Sequence, residues 1–472
     1  MSRPNSDAAS RTNSQFPADL LVVLDRTRPR SLRAQLESEL RRLIQSSQVP
    51  AGTRLPPSRT LAEDLGVARS VVVEAYGQLA SDGYLDAHQG SATTVRAVAT
   101  SRSEGGRAGT APASTVRFIG GLPDPGLFPR AEWQRHYRAA LTAVSDRELG
   151  YPGPLGASAL REALTGYLGR VRGVMTSPGQ LLVTSGVTQA LTLLCGVLRA
   201  RGVRAVALED PCFGVHREIV VRAGLRPVAI PVDQDGLDIA RLTAHEIGAV
   251  LIAPAHSYPM GAVLSGARRS ALLDWARGSG GLIIEDDYDA EFRYDRTPIG
   301  ALQGLAPEHV VHAGCVSKTL TPALRLGWLA LPSDLVDEVA AEKMYADMGS
   351  TLLEQLALAR FVAGGGFARH LRRVRPTYRR KRDTAIRALA AALPDARPLG
   401  VAAGLHLYVQ LPSECDEQRL VAQARDRGVL VEGASWHWAE PHLAPPALVL
   451  GYGSLAESAI RDGIAVVASC RS

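Results

Sequence analysis

VHAGCVSKTLTPALRLGW (311–328) decides how this chain is read, because it holds one of only three lysines among 53 lysines and arginines. An apolar, strand-like run ends at Ala313. Ser317, Lys318 and Thr319 follow, with Arg325, Leu326 and Gly327 beyond them. Arginine stays charged at any accessible pH, whereas a desolvated lysine can lose its proton and attack an aldehyde carbon. A lysine past the carboxyl end of a strand, with an arginine shortly after it, can hold an aldehyde as a Schiff base and its phosphate by a forked ion pair. The plainer reading is a surface lysine after a strand.

Two further stretches bear on that choice. IIEDDYDAEFRY (283–294) starts as a buried strand and delivers Glu285, Asp286, Asp287 and Tyr288 at its carboxyl end, the edge where open α/β sheets bind ligands. A carboxylate there can keep a pyridine nitrogen protonated, and a tyrosine hydroxyl beside it can hold a phenolic oxygen. Four polar residues ending a strand on solvent is the bland alternative. LLVTSGVTQALTLLCGVL (181–198) reads as strand, tight turn at Ser185-Gly186, and a helix from about Thr188. The free N–H groups of that helix's first turn make a phosphate cradle.

These residues resemble the pyridoxal 5′-phosphate (PLP) aminotransferases of fold type I. The branch is the one fused to a DNA-binding domain, the MocR-type regulators of the GntR superfamily, and the resemblance covers nearly the whole chain. It implies that Lys318 forms the aldimine, that Asp286 pairs with the pyridine nitrogen, and that Tyr288 touches the phenolic oxygen. Asp287 is adjacent and is the alternative by register. Arg325, Ser317 and the amides of Val187 and Thr188 resemble the phosphate clamp. Phe213, in ALEDPCFGVHRE (207–218), matches the aromatic that stacks on the ring; a core phenylalanine beside a turn is its plainer reading. Tyr151, in LGYPGPLGASALREAL (149–164), is similar to the tyrosine that reaches the neighbouring subunit's phosphate, which implies a homodimer with shared PLP sites.

Composition fits such an architecture. A chain of 472 residues with 46% hydrophobic and 21% charged residues can bury a large core in more than one domain. No long apolar run or leader appears, so a cytoplasmic location without membrane contact is expected. The cysteines at 195, 212, 315, 415 and 470 have no metal-type spacing and read as reduced. The net charge of +6 permits nucleic-acid binding. A basic run, RHLRRVRPTYRRKRD (369–383), reads as a solvated helix face interrupted at Pro376.

The expected organisation is a disordered N-terminus (1–17), a winged helix-turn-helix (18–98), a flexible linker (99–115) and an aminotransferase-like domain (116–472). From residue 116 onward, strands at 181–184, 206–208, 250–253, 282–284 and 310–313 alternate with helical patterns. The expected fold class is therefore α/β: a mostly parallel sheet covered on both faces, with a smaller C-terminal α+β part.

In the N-terminal unit a helix follows Ser31, with Leu36, Leu40, Leu43 and Ile44 on one face. Ser58 is expected to cap a short second helix ending at Gly66. A third begins near Arg69, so that two helices and a short turn point an N-terminus into a major groove. A hairpin turning at residues 88–91 then makes a wing. LPPSRTLAEDLGVARSVVVEAYGQLASDGYLDAHQGSATTV (55–95) resembles the winged helix of GntR-type regulators. That implies double-stranded operator DNA contacts from Arg59, Arg69, Ser70 and Val71, with Gln89 and Gly90 at the wing tip.

Two functional classes compete. Aminotransferases fix a substrate carboxylate with a C-terminal arginine, but in LAPPALVLGYGS (443–454) the matching position is Val449, and no arginine lies between Arg427 and Arg461. The asparagine that usually touches the phenolic oxygen is replaced in APAHSYPMGAVLS (253–265) by Tyr258. A regulator sensing a small-molecule effector, PLP itself, is therefore favoured. The alternatives are a sensor of an amino acid or amine such as γ-aminobutyrate, and a working aminotransferase with an accessory DNA module.

Overall fold

The computed structural model describes residues 22, 24–27, 30–86, 92–97, 115–244, 246–295 and 299–470. The expected disordered N-terminus, the wing tip at Gln89 and Gly90, and all but the last residue of the expected linker lie outside them. The chain divides into two units, Met1–Thr110 and Ala111–Ser472.

In the first unit Ser31 caps the helix Leu32–Gln45, its side chain accepting the Ala34 N–H at 3.3 Å. The second helix, Ser58–Leu65, corrects the expected cap. Pro57 holds the cap position with no side-chain bond, and Ser58 is already helical. The Ser58 hydroxyl instead receives Arg69 Nε at 3.4 Å, tying together the starts of the second and third helices. Gly66 (φ 63°) closes the second helix in the left-handed conformation, and Arg69–Ser81 follows after Ala68. Leu36, Leu61, Val72 and Leu79 bury the seam between the three helices. The hairpin pairs Leu85 with Val95 and Asp86 with Thr94. The N–H groups of Gly52 and Leu55 extend it by donating to Val95 and Thr93.

The second unit is built on an eight-stranded sheet. Its order is Leu181–Thr184, Gly327–Ala330, Val310–Cys315, Leu282–Asp287, Ala249–Ile252, Ala205–Asp210, Arg226–Asp233 and Gly236–Leu237. Pairing is parallel from Val310–Cys315 across to Arg226–Asp233 and antiparallel at both margins. Buried clusters on both faces account for the apolar, non-alternating strand sequences. A second, antiparallel sheet of Arg397–Leu399, His406–Gln410, Ala447–Gly451 and Glu432–Gly433 forms the smaller C-terminal part.

The basic run does not break at Pro376, contrary to expectation: one helix, Gly366–Ala392, passes through it. A mid-helix proline costs about 3 kcal/mol. Phe367, Leu371, Val374, Tyr378 and Leu389 are buried on either side of it, and each large apolar side chain buried contributes about 1.5–3 kcal/mol. The stripe outweighs the proline, which lies on the exposed face.

Two glycines set the spacing at one sheet margin. A Cβ at Gly327 would lie 2.9 Å from Gly186 Cα, 2.9 Å from Gly314 O and 3.0 Å from Thr184 Oγ1. Gly327→Ala is therefore expected to destabilise the protein by about 1–3 kcal/mol and to push the turn at Gly186 outward. Thermal unfolding reads the first effect and phosphate or PLP affinity the second; an unchanged Tm would contradict the close packing.

Candidate functional site

The strands ending at Thr184, Asp210, Ile252, Asp287 and Cys315 all open toward one edge of the sheet, because four are parallel neighbours and the fifth lies antiparallel to Gly327–Ala330. A cavity of ≈ 250 Å³ sits there. Lys318, Asp286, Tyr288, Phe213, Val187, Thr188, Ser317, Arg325 and Tyr258 all line it. Tyr151 does not: it is 85% exposed on this chain.

At one end the helix Val187–Ala200 points its first turn into the cavity, starting from Gly186 (φ 120°). First-turn amides have no partner within the helix. Ser185 N–H is already taken by Gln189 Oε1 at 2.8 Å. Arg325, in the left-handed region (φ 51°), brings its guanidinium within 3.5 Å of where a Cβ on Gly186 would stand. Backbone donors, a helix N-terminus and a guanidinium together form a phosphate-sized cradle, and its turn at Gly186 (φ 120°) uses a backbone conformation that residues with a side chain rarely adopt. Behind it, Gln189 Nε2 donates to Asp347 at 2.8 Å, and Asp347 binds Lys343 Nζ at 2.7 Å.

At the other end the strand Leu282–Asp287 sends its two aspartates to opposite faces, as strand alternation requires. Asp286 faces the cavity. Asp287 turns under the sheet to Arg172 Nε at 2.7 Å and His312 Nε2 at 2.9 Å. Burial pushes the Asp287 carboxyl up, but Arg172 and His312 outweigh it and hold it well below the usual range. Burial, and then the charge of Asp287, raise Asp286 to about 7, with Lys318 opposing. Asp286 Oδ1 is buried and has no hydrogen-bond partner among the described residues. Such an acceptor fits a pyridinium N–H, so the residues present suit PLP at both its phosphate and its ring nitrogen.

Sequence reasoning missed several groups. His216 lies one turn beyond Phe213, and its Nε2 is 3.9 Å from Asp286 Oδ2; burial lowers it to about 4. The i, i+3 spacing from Phe213 was its only signal. Phe213 is perpendicular to His216, Tyr258 and Trp436, at 5.4, 5.7 and 6.1 Å between ring centres. Gly120 and Gly121 also line the cavity, and a Cβ on Gly121 would stand 2.9 Å from Lys318 Nζ.

The lysines divide clearly. Lys343 and Lys381 are buried against carboxylates, Lys381 on Asp124 at 2.7 Å, while Lys318 Nζ has no hydrogen bond or ion pair among the described residues. No arginine other than Arg325 lines the cavity among the described residues. Val449 is wholly buried in a cluster with Tyr408. Arg375 of the basic run is bound to Glu291 O at 2.6 Å, away from the cavity lining.

In the first unit Arg59, Arg69 and Ser70 are exposed at the starts of the second and third helices, while Val71 is half-buried. Val73, not singled out by the sequence reading, is the exposed valine of the third helix.

Residues 131–439 match the family aminotransferase class I and II, and residues 32–95 match bacterial regulatory proteins, gntR family. The chain is 31% identical over 464 residues to the HTH-type pyridoxine biosynthesis transcriptional regulator PdxR of Corynebacterium glutamicum, covering 96% of this chain and 99% of that protein. It is 30% identical over 471 residues to the probable rhizopine catabolism regulatory protein MocR of Rhizobium meliloti, covering 94% of each. Among solved structures, the kynurenine aminotransferase of Pyrococcus horikoshii superposes with a TM-score of 0.70 at 24% identity, over 76% of this chain and 91% of that one. That likeness speaks to the fold.

The two aspartates should behave differently. Asp286→Ala is expected to keep the Tm near wild type and to weaken PLP binding. Asp287→Ala leaves Arg172 buried without its counter-charge, at a cost of about 3–5 kcal/mol. Because the folded Asp287 carboxyl is held low, its contribution is complete at neutral pH and is lost as pH falls below the unfolded value of about 3.9. Equal Tm losses in both variants, or tighter PLP binding in Asp286→Ala, would contradict this geometry. Borohydride treatment with PLP should label the Lys318 peptide alone, read by mass spectrometry; label on Lys343 or Lys381 would sink the assignment.

Proposed function

We propose a role for this chain from the fact that it belongs to the MocR-type regulators, bacterial gntR-family proteins whose second domain is an aminotransferase of class I and II. It is a DNA-binding transcriptional regulator. In our reading the ligand that controls it is PLP itself, and the genes it controls serve pyridoxine synthesis, the role carried in the name of its 31%-identical relative.

PLP would supply an aldehyde for covalent capture and a ring able to accept electrons. Lys318 is the amine placed for that aldehyde. The amides of Val187 and Thr188, with Ser317 and Arg325, would hold the phosphate, Asp286 would receive the ring N–H, and Phe213 would lie against the ring; all of them line the cavity. Tyr151, exposed and away from its own cavity, is free to reach the site of a second copy in a homodimer. Arg59, in the second helix, and Arg69 and Ser70, at the start of the third, are exposed and would meet operator DNA.

The observation that carries the reading is an imbalance. Among the described residues the cavity has acceptors and donors for a phosphate, an aldehyde and a ring nitrogen, yet no second arginine for a carboxylate, and Val449 is sealed in the core. A site complete for the cofactor and incomplete for an amino acid suits a sensor of the cofactor better than a transaminase.

Titrating the cofactor-free protein on its operator with PLP should shift affinity or footprint, and common amino acids or γ-aminobutyrate added afterwards should change nothing. If PLP leaves the footprint unchanged while an amino acid alters it, the amino-acid-sensing alternative takes over. On the DNA side, Arg69→Ala should weaken operator binding. Loss of discrimination at one base pair by about 1–3 kcal/mol would mean a base contact, and a salt slope reduced by about one would mean a phosphate contact. Unchanged binding would remove Arg69 from the interface.

A further inference from the structure

Tyr288 reaches the cavity with its hydroxyl already engaged from behind. Its oxygen lies 3.0 Å from His256 Nδ1, and the same nitrogen lies 2.9 Å and 3.1 Å from the two carboxylate oxygens of Asp289. All three side chains are buried. Two glycines enclose the pair: a Cβ on Gly404 (φ 68°) would stand 2.4 Å from His256 Cε1 and 2.6 Å from Asp289 Oδ2, and one on Gly261 (φ 71°) 3.1 Å from His256 Nε2. The imidazole therefore has little room to turn.

One nitrogen shared by a carboxylate and a phenol forces a choice. A carboxylate only accepts, so Asp289 keeps a proton on Nδ1. A protonated Nδ1 cannot accept from Tyr288, so the phenol oxygen can only receive from it. The Tyr288 proton is then left with one direction, the cavity. We infer that His256 and Asp289 are positioning residues that make Tyr288 an obligate hydrogen-bond donor to whatever phenolic oxygen the cavity holds. This rests on the reading that the ligand is PLP, and it adds two residues whose role neither the motifs nor the cavity lining announced.

The other groups around the pair do not compete for that proton. His406 is tilted against His256, with ring centres 5.3 Å apart, and its Nε2 donates to Pro259 O at 3.0 Å. Tyr258 has its ring centre 6.2 Å from that of Tyr288, Asp286 and Lys318 line the same cavity, and Glu209 and Asp286 add negative charge around the phenol. None of them is hydrogen-bonded to the Tyr288 hydroxyl among the described residues.

A donor to a phenolic oxygen favours its ionised form, so losing the donor raises the pH at which the bound chromophore changes protonation. The test is a pH titration of the visible absorbance of PLP bound to the full-length protein. Tyr288→Phe should raise the midpoint by about one to two pH units. Asp289→Asn, which releases the tautomer and lets Tyr288 donate to His256, should move it in the same direction, and should add nothing further in the Tyr288→Phe background. His256→Asn, which keeps an N–H near the Nδ1 position, should stay close to wild type. A midpoint indifferent to Asp289→Asn, or an Asp289 shift that adds in full to that of Tyr288→Phe, overturns the inference. Should Asp289→Asn not fold, the ¹⁵N spectrum of histidine-labelled wild-type protein decides: a proton on His256 Nδ1 supports the inference and its absence refutes it. If PLP produces no visible band at all, the reading of the ligand fails and the inference falls with it.

Discussion

Arg172 and His312 under the sheet are what place the cavity's carboxylate. Arg172 is 1% exposed and meets the Asp287 carboxylate, itself nearly buried, while His312 approaches the same group from the neighbouring strand. Taking such charges out of water costs about as much as their attraction returns, so the network is a poor source of stability and a strong source of register. A slip of one residue along Leu282–Asp287 would strand Arg172 without a partner and turn Asp286 away from the cavity. Glu285, one position earlier, is fixed in the same way, accepting the N–H groups of Leu302 and Gln303 at 2.9 and 3.0 Å.

Three successive carboxylates on one strand thus have three fates. Glu285 is an acceptor for backbone, Asp287 an ion-pair partner, and Asp286 is left buried without a hydrogen bond to its Oδ1. The same division of labour runs through the lysines. Lys343 and Lys381 are neutralised by Asp347 and Asp124 and brace their surroundings, Lys343 behind the phosphate cradle through Asp347 and Gln189. Lys318 alone is left beside a cavity, its Nζ 2.9 Å from where a Cβ on Gly121 would stand. An environment that satisfies every group but one leaves that one for a ligand.

How much of this was legible in the sequence depended on the range of the interaction. The rarity of lysine, the EDDY strand end, the Ser185-Gly186 turn and the Gly66 turn are local signals, and each led to the right element. Two local readings failed for tertiary reasons. Pro376 does not break its helix, because buried neighbours on both sides outweigh the lost bond. Ser58 does not cap its helix, because its hydroxyl is used by Arg69, brought close by the fold. The strands Arg226–Asp233 and Gly327–Ala330 went unread, the first broken by two prolines and the second opening on a glycine, a residue type that reads as a turn.

The sequence by itself determined the alternation of strands and helices, the two-part organisation by motif, and which residue types reach the carboxyl edge, since these follow from periodicity and turn chemistry within short stretches. Only the tertiary structure turned Asp286 toward the cavity and Asp287 toward Arg172 and His312. It also sealed Val449 in the core, set His216 beside Asp286, and brought His256 and Asp289 together behind Tyr288. Those outcomes depend on which groups from distant segments compete for one buried proton or one buried charge, and that competition exists only once the chain has closed around them.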